Sequence, residues 1–258
     1  MRTIRPTLRV ALTLLAPCLC LAAGPAAAEI VNVNPVVRFT VFNAYSFDVE
    51  LLADQVPDTV ANFLSYMNAG SYTNSIIHRN TTSNPADIQV IQGGSFYLGT
   101  NGLSEIATGS PIALEAGLPN LRGTLAMART NDPNSATSGW FINVTDNPSL
   151  NPSLDPFSAG YAVFGRVVPD VLPPLNPSLS GMNLVDAIAS LDIYPQNLQV
   201  WTGSEFRLDP FPELPLVVQG ETGYYVDVTS IAPVPEPSTL VLAGVGLAVA
   251  AFAARRRI

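Results

Sequence analysis

The stretch "RGTLAMARTNDPNSATSGWFIN", residues 122–143, holds two short apolar runs, Gly123 to Met127 and Trp140 onward to Val144, on either side of a polar interval. Apolar runs this short, bounded by turn-forming residues, read as buried strands, because a helix needs at least about ten residues at a 3.6 period. The interval Asn131-Asp132-Pro133-Asn134 reads as an Asx-rich turn, in which short polar side chains bond their own backbone. A calcium loop there, or at Asp146-Asn147, explains those residues less simply.

The same spelling recurs outward, at Ile88 to Ile91 and at Tyr161 to Phe164. Towards the N-terminus, Val37, Phe39 and Val41 alternate with Arg38 and Thr40, and Val49 and Leu51 with Asp48 and Glu50. These runs predict a hairpin with its turn at Tyr45-Ser46. A helix is predicted from Pro57, where Val60, Phe63, Leu64 and Met67 share a face and Gly70 ends the run. A second is predicted over Met182 to Leu191, on Leu184, Val185, Ile188 and Leu191. Residues 193–222, with Pro195, Pro210, Pro212 and Pro215, read as a long surface connection, and 224–231 as a closing strand. Many short strands with only two helices favour a closed or nearly closed β-barrel.

Both ends of the 258-residue chain differ from this body. Residues 1–28 carry Arg2, Arg5 and Arg9, an apolar run from Val10 to Ala23 and Ala26-Ala27-Ala28, the layout of a secretory signal peptide. Cys18 and Cys20 both fall inside it, so the body, residues 29–232, has no disulfide and no thiolate nucleophile. Residues 233–258 contain Pro235-Glu236-Pro237, an apolar run from Leu240 to Ala254, and Arg255 to Arg257. That order predicts a short membrane helix with its basic end on the cytoplasmic side.

The chain has no lysine, and only six of its twelve arginines belong to the body, against twenty carboxylates in the whole chain. So acidic a surface repels phosphates and excludes nucleic acid as a partner. There is no Gly-x-Ser-x-Gly nucleophile elbow, no lysine for a Schiff base and a single histidine, His78. The usual hydrolase, transferase and zinc chemistries lack their parts, and no cofactor or metal is called for.

The C-terminal segment resembles the PEP-CTERM sorting signal of Gram-negative bacteria. The resemblance implies recognition by an exosortase-type processing protease, a membrane-anchored intermediate, and a final place at the cell surface or in the extracellular matrix. In the body, "VPDTVANF" (56–63), "IIHR" (76–79), "IQGG" (91–94), the stretch 122–143, "GYAVFGRVV" (160–168) and "GMNLVDAI" (181–188) resemble, in order, the motifs of the cyclophilins. These are peptidyl-prolyl cis-trans isomerases, and the matches are similar to the bacterial periplasmic branch. The family implies a mainly β fold, a closed eight-stranded antiparallel barrel capped by two α-helices, with signal and anchor segments outside it.

The resemblance also implies roles. Arg79 matches the catalytic arginine, Gln92 the polar residue that orients it and the substrate, and Phe141 the phenylalanine of the proline pocket. Ala128 and Arg129 match the edge that bonds the substrate backbone, Leu150 a pocket wall, and Tyr161 a position that is often histidine. Gln89 stands where compact members carry an aromatic pocket residue, Val90 stands for a methionine, Gly139 for a glutamine and Ser149 for an aromatic rim residue. These changes predict a wider, more polar pocket. His78 is read as structural, because turning an X-Pro bond requires no proton transfer. The implied function is isomerisation of X-Pro bonds in proline-containing segments of exported proteins. The second reading is a cyclophilin-fold binding module or matrix protein without useful turnover.

Overall fold

The computed structural model describes residues 34–83, 88–153 and 159–235. The signal peptide expected at 1–28 and the apolar run from Leu240 to Ala254 lie outside the described residues. Among the described residues no helix is long and apolar enough to cross a membrane.

Strand β1 (Val36–Val41) alternates buried and half-buried residues as its spelling requires, with Phe39 and Val41 fully enclosed. It pairs antiparallel with β2 (Tyr45–Leu51), from Val36 opposite Glu50 to Val41 opposite Tyr45. The turn lies earlier than the sequence suggested. Phe42 and Asn43 take left-handed φ values of 53° and 54°, so Tyr45 and Ser46 already belong to β2. No glycine marks the turn, which hid it.

Helix α1 (Pro57–Asn68) starts with proline in its first turn and has no side-chain cap at Val56. Its first N–H groups are bonded instead by a distant carboxylate: Glu115 accepts from the Thr59 N–H at 2.7 Å and the Thr59 hydroxyl at 2.6 Å. Beyond it run β3 (Ser75–Ile77), β4 (Arg79–Asn80), β5 (Val90–Gly93), β6 (Phe96–Gly99) and β7 (Gly102–Glu105). The opening stretch supplies β8 (Thr124–Met127) and β9 (Trp140–Asn143), followed by β10 (Val163–Val168) and helix α2 (Gly181–Ala189). The chain then forms β11 (Gln196–Trp201), β12 (Phe206–Phe211), β13 (Leu216–Gln219) and the long β14 (Thr222–Pro233).

Strand β14 lies between β1 and β3, with Phe39 opposite Ile231 and Ile76 opposite Asp227. From β1 the ladder continues through β2, β10, β8, β9 and β5 to β4. Only His78 separates β4 from β3, so the path returns almost to its start. The result is a nearly closed, mainly β barrel with two α-helices among the described residues. Phe63 of α1 reaches Phe164 and Tyr72 in its core, where Phe39 stacks on Phe47 at 4.8 Å and meets Trp140 edge-on at 5.2 Å. Leu184, Val185 and Ile188 of α2 are buried in the same core.

The described residues form a sheet of fourteen strands. The region 193–222 corrects the sequence reading, for it is no plain connection: it builds β11, β12 and β13. Strand β11 joins β7 in parallel at Trp201 and Ser104, and β12 pairs with β11. Phe211, Leu214 and Val200 close a second core over Ile76 and Leu103. Pro210 is tolerated because β12 is the outermost strand, where a missing N–H costs no ladder bond.

Gly93 and Gly94 lie against Trp140. A Cβ on Gly94, whose φ is +77°, would come within 2.5 Å of the indole and 2.7 Å of the Ser138 carbonyl. Gly94→Ala is therefore expected to lower stability by on the order of 3 kcal/mol, by left-handed strain together with overpacking. Urea unfolding of the two proteins measures this, and an unchanged midpoint would contradict the close packing described.

Candidate active site

Register alone assembles the site. Arg79 of β4 lies opposite Gln92 of β5, and Gln92 lies opposite Phe141 of β9. Directly opposed residues project to one side of a sheet, so the three form a row across neighbouring strands. The alternate positions Ile91 and Ile142 point into the core and are fully buried.

A cavity of about 150 Å³ opens beside this row, lined by Arg79, Gln92 and Phe141 with Val90, Ala128, Arg129, Leu150, Tyr161 and Ile88. Leu150 enters from a short 3-10 turn, Pro148–Leu150, and its carbonyl accepts from the Tyr161 N–H at 3.0 Å. The Tyr161 ring meets Phe141 edge-on at 5.6 Å, and the Arg129 guanidinium lies 4.3 Å from the centre of the Tyr161 ring. Arg129 is held there by two bonds from Nε and Nη2 to the Gly160 carbonyl, at 3.0 and 2.8 Å.

Of the pocket residues singled out from the sequence, Gln89, Gly139 and Ser149 are missing from the lining, and Gln89 is the one expected at a wall. Strand alternation explains its absence: Ile88, Val90 and Gln92 share one parity, and Gln89 has the other. Its backbone is fixed by Asn147, whose side chain accepts from the Gln89 N–H at 2.9 Å and donates to the Gln89 carbonyl at 3.1 Å. An aliphatic residue, Ile88, thus stands at that wall. The signal was in the sequence, since counting back by twos from Gln92 reaches Ile88. Gly139 lies close to Ala128 and Ser95, with room for a Cβ only at 3.3 and 3.2 Å from them, and Ser149 is exposed.

Sequence reasoning missed Glu213. Its Oε2 accepts from Arg79 Nε at 2.5 Å, while Gln92 Oε1 accepts from Arg79 Nη1 at a longer 3.4 Å. The partners are 134 residues apart, and no short-range pattern links them. The 131–134 loop is an Asx turn, in which Asp132 Oδ1 accepts from the Asn134 N–H, whereas Asp146 Oδ1 accepts across the fold from the Arg122 N–H.

Residues 36–201 match the family described as cyclophilin type peptidyl-prolyl cis-trans isomerase. The chain belongs to the cyclophilins. It is similar to the peptidyl-prolyl cis-trans isomerase of Acinetobacter baylyi, with 44% identity over 58% of this chain and 69% of the relative. Peptidyl-prolyl cis-trans isomerase B of Escherichia coli is 43% identical over 54% of this chain and 76% of its own. A Streptomyces antibioticus isomerase is 40% identical over 66% and 88% respectively. The fold is similar to that of a Cryptosporidium parvum cyclophilin, with a TM-score of 0.53, 21% identity, and coverage of 79% of this chain and 99% of that one. Residues 233–257 match the PEP-CTERM protein-sorting motif.

In this cyclophilin His78 is buried beneath the site, its ring edge-on to Phe96 at 5.0 Å. Burial, with the neighbouring Arg79 charge, lowers its pKa to about 4. The unfolded chain takes up this proton near pH 6.5 and the folded chain only near 4, so acidification through that interval favours unfolding. From its value at neutral pH, stability should fall by on the order of 3 kcal/mol on acidification through that interval because of this group. His78→Phe should flatten the slope between pH 5 and 6.5 in urea unfolding. An NMR titration should find the wild-type ring neutral down to about pH 5.

Proposed function

We propose that this cyclophilin isomerises X-Pro bonds in proline-containing segments of exported proteins, with Arg79 as the catalytic group. Rotation about that bond must break amide resonance, a barrier of about 18–20 kcal/mol. No bond is made or cut, so no nucleophile, cofactor or metal is needed. A cation that donates to the proline nitrogen draws its lone pair out of resonance and lowers the double-bond character of C–N.

The row Arg79, Gln92, Phe141 carries this reading, because it sets a cation at the rim of a small hollow that has aromatic and aliphatic walls at Phe141, Leu150, Ile88 and Val90. The cavity is well below the roughly 300 Å³ of ordinary small-molecule sites, which suits a single ring such as proline. Phe141, Leu150, Ile88 and Val90 would hold that ring, and Gln92 would orient the guanidinium. The Ala128 N–H is already bonded to the Gly139 carbonyl at 2.9 Å, so the 128–129 edge would grip substrate through its other backbone groups. Arg129 and Tyr161 form the outer rim.

The sorting motif supports export with a membrane-anchored intermediate. In this reading residues 1–28 are the leader, 29–232 the cyclophilin domain, with an eight-stranded barrel inside its larger sheet, and 233–258 the segment read by an exosortase-type protease. The product would reside at the cell surface or in the extracellular matrix.

Arg79→Ala is expected to reduce isomerisation of an X-Pro peptide at least tenfold, about 1.4 kcal/mol of lost transition-state stabilisation or more. A protease-coupled peptide assay measures it. An undiminished rate would remove Arg79 from the mechanism, and a wild-type protein no faster than background would leave the peptide-binding module standing instead.

A further inference from the structure

We propose that Glu213 is a positioning residue for Arg79, supplied from beyond the part of the chain that matches the family; the inference rests on the isomerase reading of the Arg79 pocket. The family match ends at residue 201, and Glu213 lies beyond it.

An arginine side chain has considerable rotamer freedom, and catalysis needs one orientation. Of the two side-chain restraints on Arg79, the carboxylate at 2.5 Å is much the tighter, the Gln92 bond being 3.4 Å. It occupies Nε only, and a guanidinium carries five N–H donors. Donors on the Nη side therefore remain available to a substrate.

Glu213 is itself fixed. Its carbonyl accepts from the Asn80 N–H at 2.8 Å, which ties its backbone to the residue next to Arg79. Phe211 and Leu214 on either side are buried in the second core, and the Leu214 carbonyl accepts from the Tyr194 N–H at 2.9 Å. Strands β12 and β13 thus hold the carboxylate in place as a bracket.

Two observations separate positioning from a latch that withdraws the arginine. Arg79 lines the small cavity while its bond to Glu213 is in place. Glu213 does not line that cavity; it lines an adjoining hollow of about 430 Å³ that Arg79 shares. The carboxylate therefore approaches from behind. With side chains 41% and 32% exposed, the pair contributes little to stability, so its effect falls on the arginine's orientation.

The test compares Glu213→Ala and Glu213→Gln with wild type, measuring kcat and KM on an X-Pro peptide and the NMR relaxation of the Arg79 Nε–H. The alanine variant should lose roughly tenfold in kcat with KM changed less than about threefold, and its Nε–H should become mobile. Glutamine keeps an acceptor for Nε and should retain at least about half the rate. An alanine variant with undiminished or increased kcat, or a glutamine variant as slow as alanine, overturns the proposal. If wild type shows no isomerisation, the isomerase reading fails on its own. The Nε–H signal then decides: ordered in wild type and glutamine but mobile in alanine supports the tether, and mobile in wild type overturns it.

Discussion

The indole of Trp140 fills the space that side chains at positions 93 and 94 would need, and much of the molecule depends on that contact. Because only glycine fits beneath it, β5 can meet β9 in one register, with Gly93 opposite Trp140. A slip of β5 by one residue would turn Ile91 out to solvent and Gln92 into the core, and so break the row with Phe141. The packing that closes the interior therefore also aligns Arg79, Gln92 and Phe141 on the outside. Phe39, edge-on to the same indole, extends the constraint to β1.

A chain without lysine must make its ion pairs with arginine, and each body arginine is committed. Arg38 makes a forked pair with the fully buried Asp48 and also bonds the Leu172 and Pro173 carbonyls, which pins the chain after β10. Arg122 pairs with Asp186 of α2, Arg166 with Glu50, and Arg207 with Glu105 and Asp209. Arg129 takes carbonyl oxygens and an aromatic face instead. Most of these contacts join residues distant in sequence, so arginine geometry contributes to tertiary arrangement as well as to charge balance.

What could be read from the sequence follows from what is periodic in it. The β1–β2 hairpin and both helices repeat apolar residues at 2.0 or 3.6, and their faces follow directly. Strands β11 to β13 were opaque because their residues are largely polar or exposed on the outer edge, and because Pro210 argues against any interior strand. The site divides the same way. Arg79, Gln92 and Phe141 sit in motifs with a family pattern, and Ile88 was reachable by strand parity. Glu213 was not, since only the completed second core brings it beside Arg79.

Strand β14 ends at Pro233, opposite Val37, and the Val234 N–H still bonds the Val36 carbonyl at 2.9 Å. The sorting motif begins at that same residue, 233. Barrel and address label therefore meet without a spacer. An enzyme that cuts within the first residues of the motif must work against the wall of a folded domain, where the strand end has to peel away before it can enter a protease cleft. For such an enzyme, the ease of that fraying would count alongside the spelling of the motif.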